Sequence, residues 1–331
     1  MSNTENPTKK ESLRRPIRFL KCLITGVVVS GLLIGGIAYF NVYLPQGKGP
    51  AGPKVPAEPF KHVWSEKTVA LFGFGDDITD GLGVGGGFSY FDRLVKNPVG
   101  DSCDMSGKNL SVVFPNLTSK NIAVAGSTST QHRKVLEWLE RYPQDVQGIV
   151  VITTGGNDII HSYGQRPPEE GAMYGATIEQ ALPWIDNFPK RLDELVGLFK
   201  DVFPGGCQIF IANIPDLFDD TGNSNAWFSG LPAWPDGVNV LESYNQIIRQ
   251  CAAKYDNVHL VDIHTPFLGH GIHCRQSWIK NYHPDDPTYW FQPKNIADPS
   301  ERGHDAIRRL FLIEMAKVFA DPNNAGYSNG H

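Results

Sequence analysis

The sequence predicts an α/β fold: a five-stranded parallel sheet inside a three-layer α/β/α sandwich, flavodoxin-like in type, preceded by one N-terminal transmembrane helix. Three observations carry this. Five short runs, 68–72, 121–125, 148–153, 208–214 and 258–263, are predominantly apolar, as strands covered on both faces must be. Stretches with helical spacing of apolar residues, 131–142, 183–203, 238–255 and 304–319, alternate with them. The turns that follow the runs concentrate Gly, Asp, Asn and Ser, and open parallel sheets bind ligands beyond the carboxyl ends of their strands.

The first element is the apolar one. Residues 1–21 are polar and basic, with Lys9, Lys10, Arg14, Arg15, Arg18 and Lys21 against only Glu5 and Glu11. Residues 22–44 carry no charge and are mostly Leu, Ile, Val and Gly, long enough to cross a ~30 Å hydrocarbon layer as a helix. Tyr39, Phe40 and Tyr43 sit where an interfacial aromatic belt belongs. The basic flank puts residues 1–21 in the cytoplasm and the rest of the chain on the extracytoplasmic side. A cleaved leader is the rival, although Ala38-Tyr39-Phe40 is not a small-x-small cleavage site. Residues 45–59, rich in Pro and Gly without apolar periodicity, read as an extended tether. The folded domain then spans 60–320, and the polar residues 321–331 read as a disordered tail.

Composition sets the class. With 30 Lys+Arg against 35 Asp+Glu, a net charge of −5 and 41% hydrophobic residues, the chain has no concentrated basic face for nucleic acid and too much apolar content for a disordered protein. Five cysteines without C-x-x-C spacing argue against a structural zinc. Cys103, Cys207, Cys251 and Cys274 would meet an oxidising compartment under this topology, and a Cys274–Cys103 bridge is the pairing expected first.

Chemistry is sought in the turns. After the first run stands Gly73-Phe74-Gly75-Asp76-Asp77-Ile78-Thr79-Asp80-Gly81, after the second Gly126-Ser127-Thr128-Ser129, and after the third Gly155-Gly156-Asn157-Asp158. Near the end stands Asp298-Pro299-Ser300-Glu301-Arg302-Gly303-His304-Asp305. In this order, these blocks resemble the SGNH/GDSL hydrolases over almost the whole folded part. The resemblance implies that the first block carries the nucleophile, that Gly126 and Asn157 supply the backbone and side-chain donors of an oxyanion hole, and that the last block carries the base and its orienter. Laid on the family's pattern, the serine position holds Asp77, the base position Asp298 and the orienting acid position Asn295. The oxyanion donors match, while all three catalytic side chains differ.

Two readings of Asp77 stay open: a general base acting on water, with a histidine as proton donor, and an N-cap of the following helix. His283, followed by Pro284 and near Asp285 and Asp286, is a candidate displaced base. His304 reads as packing or capping, and His270 and His273 as pocket-lining or loop-satisfying residues. The glycine run 81–87 lacks a P-loop ending, and the aspartates and late histidines match no metal-binding pattern, so neither cofactor nor metal is expected. The long segments 160–182 and 215–237, the second bearing Trp227, Phe228 and Trp234, follow strand ends and should overhang the site. The resemblance implies a small-molecule or carbohydrate ester substrate. An esterase-like hydrolase with a non-standard catalytic set is one expectation; an inactive domain that binds glycan or lipid is the other. The oligomeric state is not legible.

Overall fold

A computed structural model describes residues 8–39, 46–160, 166–222, 231–293 and 296–320. It divides into two units, residues 1–47 and 48–331. The described part of the first holds a long helix, α1 (Thr8–Ala38). Within it Phe19–Ala38, 20 residues of mean hydropathy 2.0, is long and apolar enough to cross a membrane. Phe40 and Tyr43, assigned to an aromatic belt, lie outside the described residues.

The second unit holds five parallel strands, β1 (Val69–Gly75), β2 (Leu117–Asn121), β3 (Gln147–Thr153), β4 (Cys207–Ala212) and β5 (Val258–Val261), in the order β2-β1-β3-β4-β5. The order reverses between β1 and β3, which opens a crevice at their carboxyl ends. Alternate residues serve opposite faces. Ala70, Phe72 and Phe74 join one core, packed by α5 (Ser129–Leu136), α7 (Ile178–Val202) and α8 (Gly237–Lys254). Val69 and Leu71 join the other, packed by α3 (Tyr90–Val95), α4 (Leu110–Val113) and α10 (Glu301–Phe319). Short helices α2 (Asp77–Asp80), α6 (Gly156–Ile160) and α9 (His264–Phe267) follow β1, β3 and β5 directly.

The strands lie where the apolar runs do, with one difference. β2 is the polar stretch Leu117–Asn121, exposed along most of its length. The apolar residues 122–125 instead extend along the end of β1, with Ile122 N donating to Gly73 O and Val124 N to Gly75 O. Helix α7 begins earlier than its Pro183 suggests, because Thr177 and Gln180 form a capping box a turn and a half before it.

The segment read as a tether is docked from residue 48 onward. It has no regular structure beyond a 3-10 turn at Glu58–Lys61, yet Ala51 and Val55 are buried. Ala51 N donates to Asp305 Oδ2 (3.1 Å), Lys108 Nζ to Val55 O (2.7 Å) and Arg302 Nη2 to Pro50 O (3.1 Å). One of these partners, Asp305, belongs to a buried ionic cluster. Arg308 forks onto Asp101 at 2.6 and 2.8 Å and also reaches Asp305, while Arg309 forks onto Asp104 and contacts Asp305.

All five cysteines are free, so the expected Cys274–Cys103 bridge is absent: Cys274 is buried within a core cluster and Cys103 is exposed. Burial pushes the Cys274 thiol up to about 12, the reverse of what a reactive thiol needs.

Truncating Arg308 to Ala strands Asp101 as a buried carboxylate without its arginine, while Asp305 keeps Arg309, and should lower unfolding free energy by about 3–5 kcal/mol. Lys317→Ala, which removes an exposed Lys317–Glu314 pair, should change it by less than about 1 kcal/mol. Denaturant titration of both variants checks the contrast.

Candidate active site

The crevice is built by three strand ends. β1 finishes at Gly75 with φ +123, where a Cβ would collide with the Thr153 carbonyl oxygen of β3, so only glycine lets the chain pass and turn into α2. Asp76 is the N-cap of that helix, its carboxylate accepting from Ile78 N at 3.3 Å. The cap assigned to Asp77 as one alternative therefore belongs to its neighbour. Relieved of that role, Asp77 occupies the first helical position and points across the crevice.

Three of the sequence-derived site residues meet there. Gly126, in a left-handed conformation (φ +76) that turns its amide inward, donates N–H to Asp77 Oδ1 at 2.8 Å. Asn157, second residue of α6, donates Nδ2–H to Asp77 Oδ2 in a short hydrogen bond and to the Ser127 carbonyl at 3.0 Å. The two groups expected to serve as oxyanion-hole donors are thus engaged by a carboxylate of the same chain.

Asp298 lines the same cavity, with Asp76 and Asp77. Desolvation, then repulsion from Asp77 and Asp76, pushes it up to about 8. Asp76 is also raised, to about 7, by burial first, against a 2.6 Å hydrogen bond from Thr153 Oγ1, with Asp77 and Asp158 adding repulsion. Near neutrality Asp298 is mostly protonated and Asp76 about half protonated.

His283 is placed elsewhere. Its exposed ring stacks on His270 at 4.8 Å, and His270 lies on Trp290 at 3.6 Å. It is not among the residues lining the cavity. Asp286 is engaged by Arg302 at 2.9 Å. His304 is fully buried, its Nδ1 accepting from Tyr90 N, and desolvation pulls it down to about 3. His270 is a loop-satisfying residue, donating from Nδ1 to Thr288 O. Asn295 lies outside the described residues.

Two residues at the site escape the sequence reading. His132 in α5 is buried beneath the Gly126 turn, its ring nitrogens bonded to Ser127 Oγ (3.0 Å) and Thr154 Oγ1 (2.9 Å), and burial holds it down at about 4. The signal is its place four residues before Leu136, on the buried face of the helix. Asp216, after β4, lines the cavity with both oxygens satisfied by Phe218 N and Asp220 N. The segments expected to overhang do so where described: Tyr174, Leu217, Phe218 and Trp234 wall the cavity. Trp227 and Phe228 lie outside the described residues.

A profile of the GDSL-like lipase/acylhydrolase family matches residues 74–291. No curated protein matches the chain. Among solved structures the chain is similar to an extracellular lipase from Streptomyces rimosus (14% identity, TM-score 0.48, covering 75% of this chain and 99% of that one). It is also similar to phospholipase A1 from Streptomyces albidoflavus NA297 (16%, TM-score 0.46, 76% and 100%). A third is an acetylxylan esterase from Geobacillus stearothermophilus (18%, TM-score 0.45, 76% and 95%).

Because the folded Asp298 holds a proton that the unfolded chain releases near pH 4, folding takes up a proton between about pH 4 and 8, and stability falls as pH rises through that window. Asp298→Asn, which cannot ionise, should gain on the wild type across it, by an amount on the order of a few kcal/mol, and level off above about pH 8. Denaturant unfolding of both proteins at pH 4.5, 6.5 and 8.5 checks the sign.

Proposed function

This chain belongs to the GDSL-like lipase/acylhydrolase family, and from that premise we propose that its cleft binds a ligand without hydrolysing it. One observation carries the reading: the Asp77 carboxylate takes both donors that an ester's oxyanion would need. Acyl transfer in such a site needs a hydroxyl to attack, a base within hydrogen-bond reach, and free donors for the developing negative charge. Asp77 brings no hydroxyl, and attack by its carboxylate would give a labile anhydride. Asp298, raised to about 8, is mostly protonated near pH 7 and so mostly unavailable as a base there.

The hydrolytic alternative, action on acyl or carbohydrate esters, uses the same pair differently. Asp77 would activate water and protonated Asp298 would donate to the leaving group, a role the raised Asp298 favours. It requires Asp77 to leave Gly126 and Asn157 before an oxyanion enters. Each charge-assisted bond given up costs about 1.5–3 kcal/mol, and this weighs toward binding.

The domain is anchored by α1 as a single membrane span, with the basic N-terminus cytoplasmic and the family domain extracytoplasmic. Support comes from the length and hydropathy of Phe19–Ala38 and the basic residues ahead of it.

The full chain in neutral detergent, offered short-chain nitrophenyl esters and acetylated sugars, should show no turnover above buffer. The double variant Asp77→Ser/Asp298→His should gain turnover, and adding Asn157→Ala should cut it by about 100-fold or more. Wild-type turnover that disappears in both Asp77→Ala and Asn157→Ala would overturn the binding reading. For the anchor, the chain should stay with carbonate-washed membranes at full mass; a soluble product shortened at its N-terminus would identify a cleaved leader instead.

A further inference from the structure

Beyond β5 the chain forms a loop whose base is tied to the wall of the crevice. Asp219, 2% exposed, accepts Gly269 N and Gly271 N on Oδ1, each at 2.8 Å, and His273 N on Oδ2 at 3.0 Å. Ile272 N donates to the carbonyl of Leu217, a residue lining the cavity, and Asn281 Nδ2 to the Asp219 carbonyl at 3.3 Å. Tight turns, Gln276 N to His273 O and Ile279 N to Gln276 O, carry the chain between these ties. Trp278 stands there, 79% exposed.

A single exposed apolar side chain needs no explanation, and the chain offers a comparison. Trp138, 87% exposed, stands beyond the end of α5 with Glu137 and Glu140 beside it in sequence. The Tyr142 that follows stacks on Phe203, which covers Gly148 at the start of β3, the end of the sheet away from the crevice. Trp278 differs in charge and in place. Arg275 and Lys280, both exposed, flank it, and no aspartate or glutamate occurs between residues 263 and 284, in a chain whose net charge is −5. Its loop leads into Asp286. Arg302 bonds both Asp286 Oδ2 (2.9 Å) and the carbonyl of Pro50 (3.1 Å), where the chain that follows α1 joins the fold.

Residues 39–49 separate Ala38 from Pro50, so a bilayer that holds α1 lies within about 40 Å of extended chain from Pro50. Tryptophan rings collect at the headgroup level of bilayers, and exposed Lys and Arg are drawn to anionic headgroups. We propose that loop 275–283 is a second membrane contact, with Trp278 at the headgroup level of an anionic phospholipid surface and Arg275 and Lys280 against its phosphates. This rests on the anchored reading of α1 and adds to it a lipid-facing surface at the rim of the crevice.

One ring and two charges make a weak contact, which holds because the chain is already tethered. Each cation near an anionic surface is worth roughly fivefold in affinity. Salt screens that attraction, the Debye length falling from about 10 Å at 0.1 M to about 3 Å at 1 M. The indole part does not depend on salt. With the rim seated in this way, ligands that partition into the bilayer meet the crevice at a raised local concentration.

Tryptophan fluorescence of the full chain, reconstituted into vesicles of acyl-brominated phosphatidylcholine with about 30% phosphatidylserine, tests this. Bromine quenches only rings at the bilayer. Wild-type emission should be quenched relative to unbrominated vesicles, the quenching should disappear in Trp278→Phe, and Trp138→Phe should keep it in full. The double variant Arg275→Glu/Lys280→Glu, or a rise from about 50 to 500 mM salt, should cut the Trp278-dependent quenching by about half or more. Equal quenching in wild type and Trp278→Phe, in chain that floats with the vesicles, overturns the contact, as does quenching that the charge reversal leaves unchanged. Failure of the anchored reading is a separate result: the chain would then not float with the vesicles after a carbonate wash.

Discussion

The geometry of the crevice depends on one carboxylate. Asp77 leaves the end of β1 and accepts from the Gly126 amide, beyond β2, and from the Asn157 side chain, beyond β3. Three loops that parallel strands deliver to one edge are thereby tied to a single group, at bond strengths that charge raises to about twice those of neutral pairs. Beneath it Asn157 also holds the Ser127 carbonyl, and Ser127 is fixed from below by His132. Burial keeps that imidazole neutral, so it braces the turn without adding charge to a site already crowded with acids.

Much of this was legible in the sequence, and for a common reason. The apolar runs behind β1, β3, β4 and β5 are dictated by burial on both faces, and the turns after them must carry whatever chemistry the fold supports. Asp77, Gly126 and Asn157 came into view because each follows a strand. What stayed hidden depends on contacts distant along the chain. β2 is an edge strand whose polar residues face solvent, so composition pointed to the apolar residues 122–125 beside it. The docking of residues 48–56 depends on Asp305, Lys108 and Arg302, and no local pattern announces that a proline-rich segment will give its carbonyls to them. His283 drew attention through its neighbour Pro284, but ring stacking on His270 keeps it outside the cavity.

The arginines of α10 show how the second core tolerates so much charge. Arg308 and Arg309 are almost wholly enclosed, yet each faces carboxylates from two directions, Asp305 on their own helix and Asp101 or Asp104 from the loop before α4. Asp305 in turn accepts the Ala51 amide. Buried pairs of this kind add little net stability over apolar packing but are intolerant of losing one member. The segment from residue 48 meets this network through the Ala51 amide on Asp305, while its Pro50 and Val55 carbonyls take Arg302 and Lys108.

The contrast between the two acidic regions argues for function at the crevice. Asp101, Asp104 and Asp305 each meet an arginine of α10, and hydrogen bonding from those arginines leaves Asp101 and Asp104 below the usual carboxylate range despite burial. In the crevice, burial first and then repulsion among Asp76, Asp77 and Asp298 raise Asp76 to about 7 and Asp298 to about 8. The acids of the crevice stand beside the aromatic walls of Tyr174, Phe218 and Trp234 at the switch point of the sheet. A histidine at position 298 would have relieved Asp77 by ion pairing. The second carboxyl does the reverse and adds repulsion to Asp77 and Asp76.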